Sequence, residues 1–131
     1  MSKPIILIVE DQQDIRKLIR MTLDFGTFEL HEADNGESGW HMVRGLKPSL
    51  VLLDVMMPGA LDGYQVCSKI KAEPQLRATP VVLLTARGQE TDFAAGKAAG
   101  ADGYLTKPFS PLQLIDTVER LLEGLVGQNA A

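Results

Sequence analysis

With 131 residues, 45% of them hydrophobic, the chain has the length of one domain and enough apolar side chains for a sizeable core. Its formal net charge of -4 argues against a nucleic-acid binder, and its one cysteine, Cys67, rules out an internal disulfide framework. No apolar run approaches the roughly 18 residues of a membrane span, and Pro4 to Val9 is too short for a signal peptide, so a cytoplasmic protein with no membrane insertion is expected.

Ile5 to Val9 is apolar and mostly β-branched, which predicts a strand buried on both faces. After Glu10-Asp11, the residues Ile15, Leu18, Ile19, Thr22 and Leu23 recur at helical spacing, with Arg16, Lys17 and Arg20 opposite and Gly26 as the stop. Phe28 to Glu32 alternates, as an edge strand does, and Asn35-Gly36 reads as a turn. Glu37 to Leu46 is a second helix with Trp40 and Val43 inward. Pro48 introduces the run Ser49 to Asp54, apolar until it stops at one carboxylate. A loop with Pro58, Gly59, Asp62 and Gly63 leads to a third helix, Tyr64 to Ala72, which carries Cys67 as a small core residue and which Pro74 closes.

Pro80 opens the strand Val81 to Thr85. A fourth helix, Glu90 to Ala99, is rich in Ala and Gly, with Phe93 its largest side chain. Asp102 to Leu105 is a short fifth strand, and Thr106 to Phe109 a tight loop. Ser110-Pro111 caps the last helix, whose stripe is Leu112, Ile115, Val118, Leu121, Leu122 and Leu125, with a fraying tail from Gly124. Five strands alternating with five helices predict an α/β fold: parallel strands with helices on both faces.

Parallel strands put their carboxyl ends on one edge, where open α/β sheets bind ligands. The first strand delivers Glu10 and Asp11 there, the third Asp54, the fourth Thr85 and the fifth Lys107. Three neighbouring carboxylates repel one another, and a divalent cation resolves the repulsion; Mg2+ takes hard oxygen ligands and keeps waters. Asp11 and Asp54 are the direct ligand candidates, with the longer Glu10 acting through water. Asp54 is then placed to attack a phosphoryl donor, Lys107 to offset charge on the phosphoryl oxygens, and Thr85 to donate a hydrogen bond to one of them. Taken singly, each residue has a plainer role. Glu10 or Asp11 can begin a helix, Thr85 can cap the fourth one, Lys107 can be a loop lysine, and Tyr104 can be sheet packing. His31 and His41 lack metal-ligand spacing.

Together the motifs Val9-Glu10-Asp11, Leu52-Leu53-Asp54-Val55-Met56-Met57-Pro58, Asp62-Gly63, Leu83-Leu84-Thr85-Ala86 and Tyr104-Leu105-Thr106-Lys107-Pro108-Phe109 give a chain that resembles a response-regulator receiver domain of two-component signalling, from Ile5 to about Leu125. The resemblance implies a flavodoxin-like five-stranded parallel sheet of order 2-1-3-4-5. It implies Asp54 as phosphoacceptor, Glu10 and Asp11 as the acidic pair, the Met56 backbone carbonyl as a Mg2+ ligand, Thr85 and Tyr104 as switch residues, and a cis Lys107–Pro108 peptide. Residues 1–125 would be the receiver and 126–131 a short tail. The segment from Met57 to Gly63 is one residue longer than the family's usual spacing. Met56 and Arg87 occupy the positions that tune phosphoryl lifetime in receivers, and this pair is expected to impede water.

The partners implied are a sensor histidine kinase or phosphotransfer protein docking near Ile15 and, downstream, a protein target or output domain, with no direct nucleic acid. A phosphorylation-dependent dimer is left open. The short Gly-Gln-Asn-Ala-Ala ending leans toward a stand-alone protein. The chain is expected to be a phosphoacceptor taking part in its own phosphorylation rather than an enzyme with turnover. Two other classes compete: a pseudo-receiver that is never phosphorylated, and an enzyme on the same layered fold. A flavin binder would want a Gly- or hydroxyl-rich loop after the first strand, where this chain has Glu-Asp-Gln-Gln-Asp. An aspartate-nucleophile phosphatase would want an acid at Met56.

Overall fold

The computed structural model describes residues 3–86 and 90–129, without the side chains of 86, 90–93 and 123–129. The strands are β1 (Ile5–Val9), β2 (Glu29–Ala33), β3 (Leu50–Asp54), β4 (Val81–Ala86) and β5 (Gly103–Lys107). Between and after them run α1 (Gln13–Leu23), α2 (Gly36–Leu46), α3 (Gly63–Ala72), α4 (Glu90–Ala99) and α5 (Pro111–Asn129). All strands pair in parallel in the order β2-β1-β3-β4-β5. The order reverses between β1 and β3, which is where such sheets form a ligand crevice.

The two-residue period of a strand divides the core into two layers. Leu7, Val9, Val51, Leu53, Val81 and Leu83 face one side, where Val43 of α2, Val66, Cys67 and Ile70 of α3 and Ala99 of α4 cover them. Ile6, Ile8, Leu50, Leu52, Val82 and Leu84 face the other, under Ile19 and Leu23 of α1 and Leu114, Val118 and Leu122 of α5. The inner strands are apolar on both faces because both faces are covered. Trp40 lies half-buried against the first layer beside Val43, as the helical spacing predicts. Cys67 is fully buried, its Sγ 3.5 Å from the Ala99 carbonyl, and burial pushes its thiol up to about 11, so it is an inert packing residue.

Several expectations shift. Asn35-Gly36 is not a free turn: Asn35 caps α2, its Oδ1 accepting the Ser38 N–H, and Gly36 is the first helical residue, where any β-carbon would run into the Leu61 carbonyl. β2 starts and ends one residue later than the alternation suggested. β5 runs on to Lys107, because pairing with β4 continues through Ala86↔Lys107. The helix α5 is described as far as Asn129, past Gly124. Leu112 is 78% exposed, since at about 100° per residue it sits some 200° from Leu114, which leads the buried row Leu114-Val118-Leu122. Leu18 is exposed on α1 in the same way. Phe93 and Leu125 fall among the side chains left undescribed.

One polar clamp ties the sheet's far end to α3. Lys71 Nζ donates to the carbonyls of Arg77 and Thr79 and to Asp102 Oδ2, at 3.0, 2.8 and 2.7 Å. Asp102 Oδ2 also accepts the Val81 N–H at the start of β4. Lys71→Met is expected to lower stability by about 2 kcal/mol, because three acceptors lose their donor in a half-buried setting. Urea unfolding checks this, and an unchanged midpoint would show the clamp to be idle.

Candidate functional site

The site is built where β1 and β3 end side by side. Asp54 is the last residue of β3 and only 3% exposed, held there by Leu52 and Leu53 packing into opposite layers. Val9 pairs with Leu53, so Glu10 and Asp11 follow directly beside Asp54. Carboxylate oxygens of Glu10, Asp11 and Asp54 lie within 4.8 Å of one another. Glu10 is fully buried, and its Oε2 accepts the Gln12 N–H at 3.1 Å. Acids this close and this buried need a cation.

Lys107 supplies one. Its Nζ is 2.7 Å from Glu10 Oε1 and 3.1 Å from Asp54 Oδ1. The approach to Glu10 is an ion pair rather than a well-angled hydrogen bond, and Oε1 has no hydrogen-bond donor among the described residues. Burial opposes the charge on Lys107, but the Glu10 and Asp54 carboxylates beside it outweigh burial and raise its pKa. One lysine does not balance three acids. Burial, followed by the Asp11 and Glu10 carboxyls, pushes Asp54 up to about 8 from 3.8, against the opposing pull of Lys107. A hard divalent cation fits this donor set: clustered carboxylates, one of them reluctant to ionise without more positive charge.

The other predicted residues sit on the same edge. Thr85 lies inside β4, five positions before α4 begins, so it does not cap that helix; its hydroxyl is buried and has no hydrogen-bond partner among the described residues. Thr85 pairs with Thr106, which puts Tyr104, two residues back on β5, on the same face as Thr85. The Tyr104 ring lies over Gly96 of α4, where a β-carbon would come within 2.6 Å of its Cε1. The Met56 N–H donates to Asp54 Oδ1 at 3.3 Å, and the Met56 side chain is exposed. The Lys107–Pro108 peptide is cis, as the resemblance implied. Arg87 lies outside the described residues.

Two residues near the site escaped the sequence reading. Helical spacing put Arg16 on the solvent face of α1. It turns back instead, its Nη1 donating to the Glu10 carbonyl at 2.8 Å and its Nε to Glu32 at 3.0 Å, so it fixes the β1–α1 turn. Glu37 had no role beyond starting a helix, yet it reaches the loop after β3. Neither contact has a local signal, because each partner is brought close only by the fold.

A family model described as the response regulator receiver domain matches residues 6–119. The transcriptional regulatory protein SrrA of Staphylococcus aureus is 42% identical over 117 residues, which are 89% of this chain and 47% of SrrA. The chain thus spans about half the length of the curated relatives it matches. Among solved structures, the receiver domain of NtrX from Brucella abortus superposes with a TM-score of 0.83 at 33% identity, covering 90% of this chain and 98% of that one. The chemotaxis response regulator CheY4 of Vibrio cholerae does so at 0.84 and 28%, covering 92% and 99%.

Proposed function

The chain belongs to the response regulator receiver family, and from that premise we propose that it accepts a phosphoryl group on Asp54 from a phosphohistidine donor and switches a protein-binding face in response. The observation that carries this reading is the buried Asp54 at the end of β3, with two acids on one side and the Lys107 ammonium 3.1 Å away. The Met56 N–H and Lys107 both bind Oδ1, and Oδ2 is the oxygen we assign to the new bond. Oδ2 attacks phosphorus, the P–N bond breaks, and the departing imidazole takes up a proton. Lys107 stays charged through the step and offsets the developing phosphoryl charge. Asp11, Asp54 and the Met56 carbonyl would hold Mg2+, with Glu10 contributing through water; when bound, the ion supplies Lewis-acid charge stabilisation.

The Thr85 hydroxyl, which has no hydrogen-bond partner among the described residues, gives the switch its start: it donates to a phosphoryl oxygen, and Tyr104 on the same face follows into the space it leaves. The partners in this reading are a sensor histidine kinase or phosphotransfer protein upstream and a protein target or output domain downstream, in the cytoplasm. No described helix is long and apolar enough to cross a membrane. The receiver, at residues 1–125, acts by protein contact and not on nucleic acid; the SrrA name speaks for that protein's regulatory output, not for contacts made by this domain. It is a phosphoacceptor, not a turnover enzyme. The pseudo-receiver reading finds no support, since acceptor, acids and lysine are assembled together.

Intact mass after incubation with acetyl phosphate and Mg2+ tests the proposal. Wild type is expected to gain one phosphoryl group only with Mg2+, and Asp54→Asn none. A wild type that takes up no phosphoryl, or an addition that persists in Asp54→Asn, would overturn it.

A further inference from the structure

The loop from Val55 to Asp62, between β3 and α3, follows directly on Asp54 and carries Met56, whose N–H donates to Asp54 Oδ1. Its two ends are fixed by backbone. The Gly63 N–H donates to the Val55 carbonyl at 3.0 Å, and Gly63 packs so tightly on the Asp54 carbonyl that no β-carbon fits. Met57 is anchored in the core. The middle has no such anchorage: Pro58, Gly59 and Ala60 are all exposed, and Gly59 turns the chain at φ +104°. What holds this middle is Glu37, from the first turn of α2. Its Oε1 accepts the Ala60 N–H at 3.0 Å and the Leu61 N–H at 3.3 Å, across 23 and 24 residues of sequence. Gly36, next to it, is the residue against which the Leu61 carbonyl rests.

We infer that Glu37 is a positioning residue for the proposed cation site, holding in place the middle of the β3–α3 loop that runs on from Asp54 and Met56. Two successive N–H groups converging on one side-chain oxygen staple the loop at a point where it has no core anchorage. A loop whose middle is exposed has many conformations to lose, and a single distant acceptor that binds two of its N–H groups removes many of them. The role depends on an acceptor oxygen at this place, not on negative charge. The inference rests on the proposed Mg2+ site.

The test compares wild type, Glu37→Ala and Glu37→Gln by Mg2+ titration calorimetry and by amide hydrogen exchange followed by NMR. In Glu37→Ala the Ala60 and Leu61 amides exchange faster, Leu52 in the sheet centre does not, and Mg2+ affinity falls about 10-fold, the low end for residues that support metal ligands. Glu37→Gln, whose Oε1 still accepts, restores both readouts. Unchanged Mg2+ affinity in Glu37→Ala overturns the inference alone, as does an equal loss in Glu37→Gln. A wild type that binds no Mg2+ overturns the inference together with the proposed function.

Discussion

Replacing Lys107 by alanine is expected to slow phosphoryl uptake from acetyl phosphate by about 100-fold or more, the loss typical when one charge-stabilising donor leaves a transition state. Nζ bridges Glu10 Oε1 and Asp54 Oδ1 at 2.7 and 3.1 Å, so it is the one side-chain cation on the described site's acidic cluster. Its removal has a second cost. Glu10 is fully buried, and losing its ion-pair partner leaves a buried charge uncompensated, which costs about 3–5 kcal/mol when both groups are buried. Lys107 keeps a fifth of its side chain in solvent, so about 2 kcal/mol is the better expectation. Lys107→Arg separates the two effects. It keeps the positive charge and most of the stability, but its planar fork cannot take the place of a compact ammonium between two carboxylates, and phosphorylation stays slow. Rates of mass increase and urea midpoints, measured on all three proteins, check this. A Lys107→Ala protein phosphorylated at the wild-type rate would remove the lysine from the mechanism.

The second large effect is on stability and runs opposite to the usual consequence of mutating a buried polar residue. Asp54→Asn should melt higher than wild type in metal-free buffer at pH 8. Asp54 binds its proton more tightly in the folded chain, where its pKa is about 8, than in the unfolded chain, near 3.8. Between those values the folded state holds the extra proton, so stability contributed at this site falls as pH rises and the whole penalty is present above pH 8. At about 1.4 kcal/mol per pKa unit the penalty is on the order of a few kcal/mol, and each kcal/mol relieved raises the midpoint by roughly 3–5 °C in a domain of this size. Near pH 4 a protonated Asp54 and an asparagine are nearly isosteric, and the two melting curves should converge. Mg2+ should raise the wild-type midpoint at pH 8 and that of Asp54→Asn far less, because the ion stabilises only the state that binds it. An Asp54→Asn protein that melts at or below wild type at pH 8 in chelator would show that the acidic cluster is not strained.

The same two residues mark the division between what the chain's text carries and what its fold adds. The sheet was legible because its code is local. Ile5 to Val9 and Ser49 to Asp54 are apolar on both sides of the two-residue period, and only a strand covered on both faces tolerates that. The ends of the first and third strands were legible for the same reason: an apolar run that halts at Glu10 or Asp54 marks where the chain leaves the core. The errors fell where a local signal met a distant partner. Thr106 and Lys107 read as a loop because Pro108 follows, yet they extend β5, since Thr85 and Ala86 on β4 offer them pairing. Asn35-Gly36 has the composition of a turn and instead starts a helix, because Gly36 must fit beneath Leu61.

By itself, then, the sequence determined the alternation of elements, the two apolar layers and the identity of the charged groups at one edge, all of which follow from periodicity and from the cost of burying a charge in mid-strand. Only the tertiary structure decided how those groups meet. It set Lys107 between Glu10 and Asp54, aimed Arg16 at the Glu10 carbonyl, and brought Glu37 across 23 residues to the Ala60 amide. Such contacts leave no periodic trace, because their geometry is fixed by strand order and helix packing rather than by any neighbour in the chain.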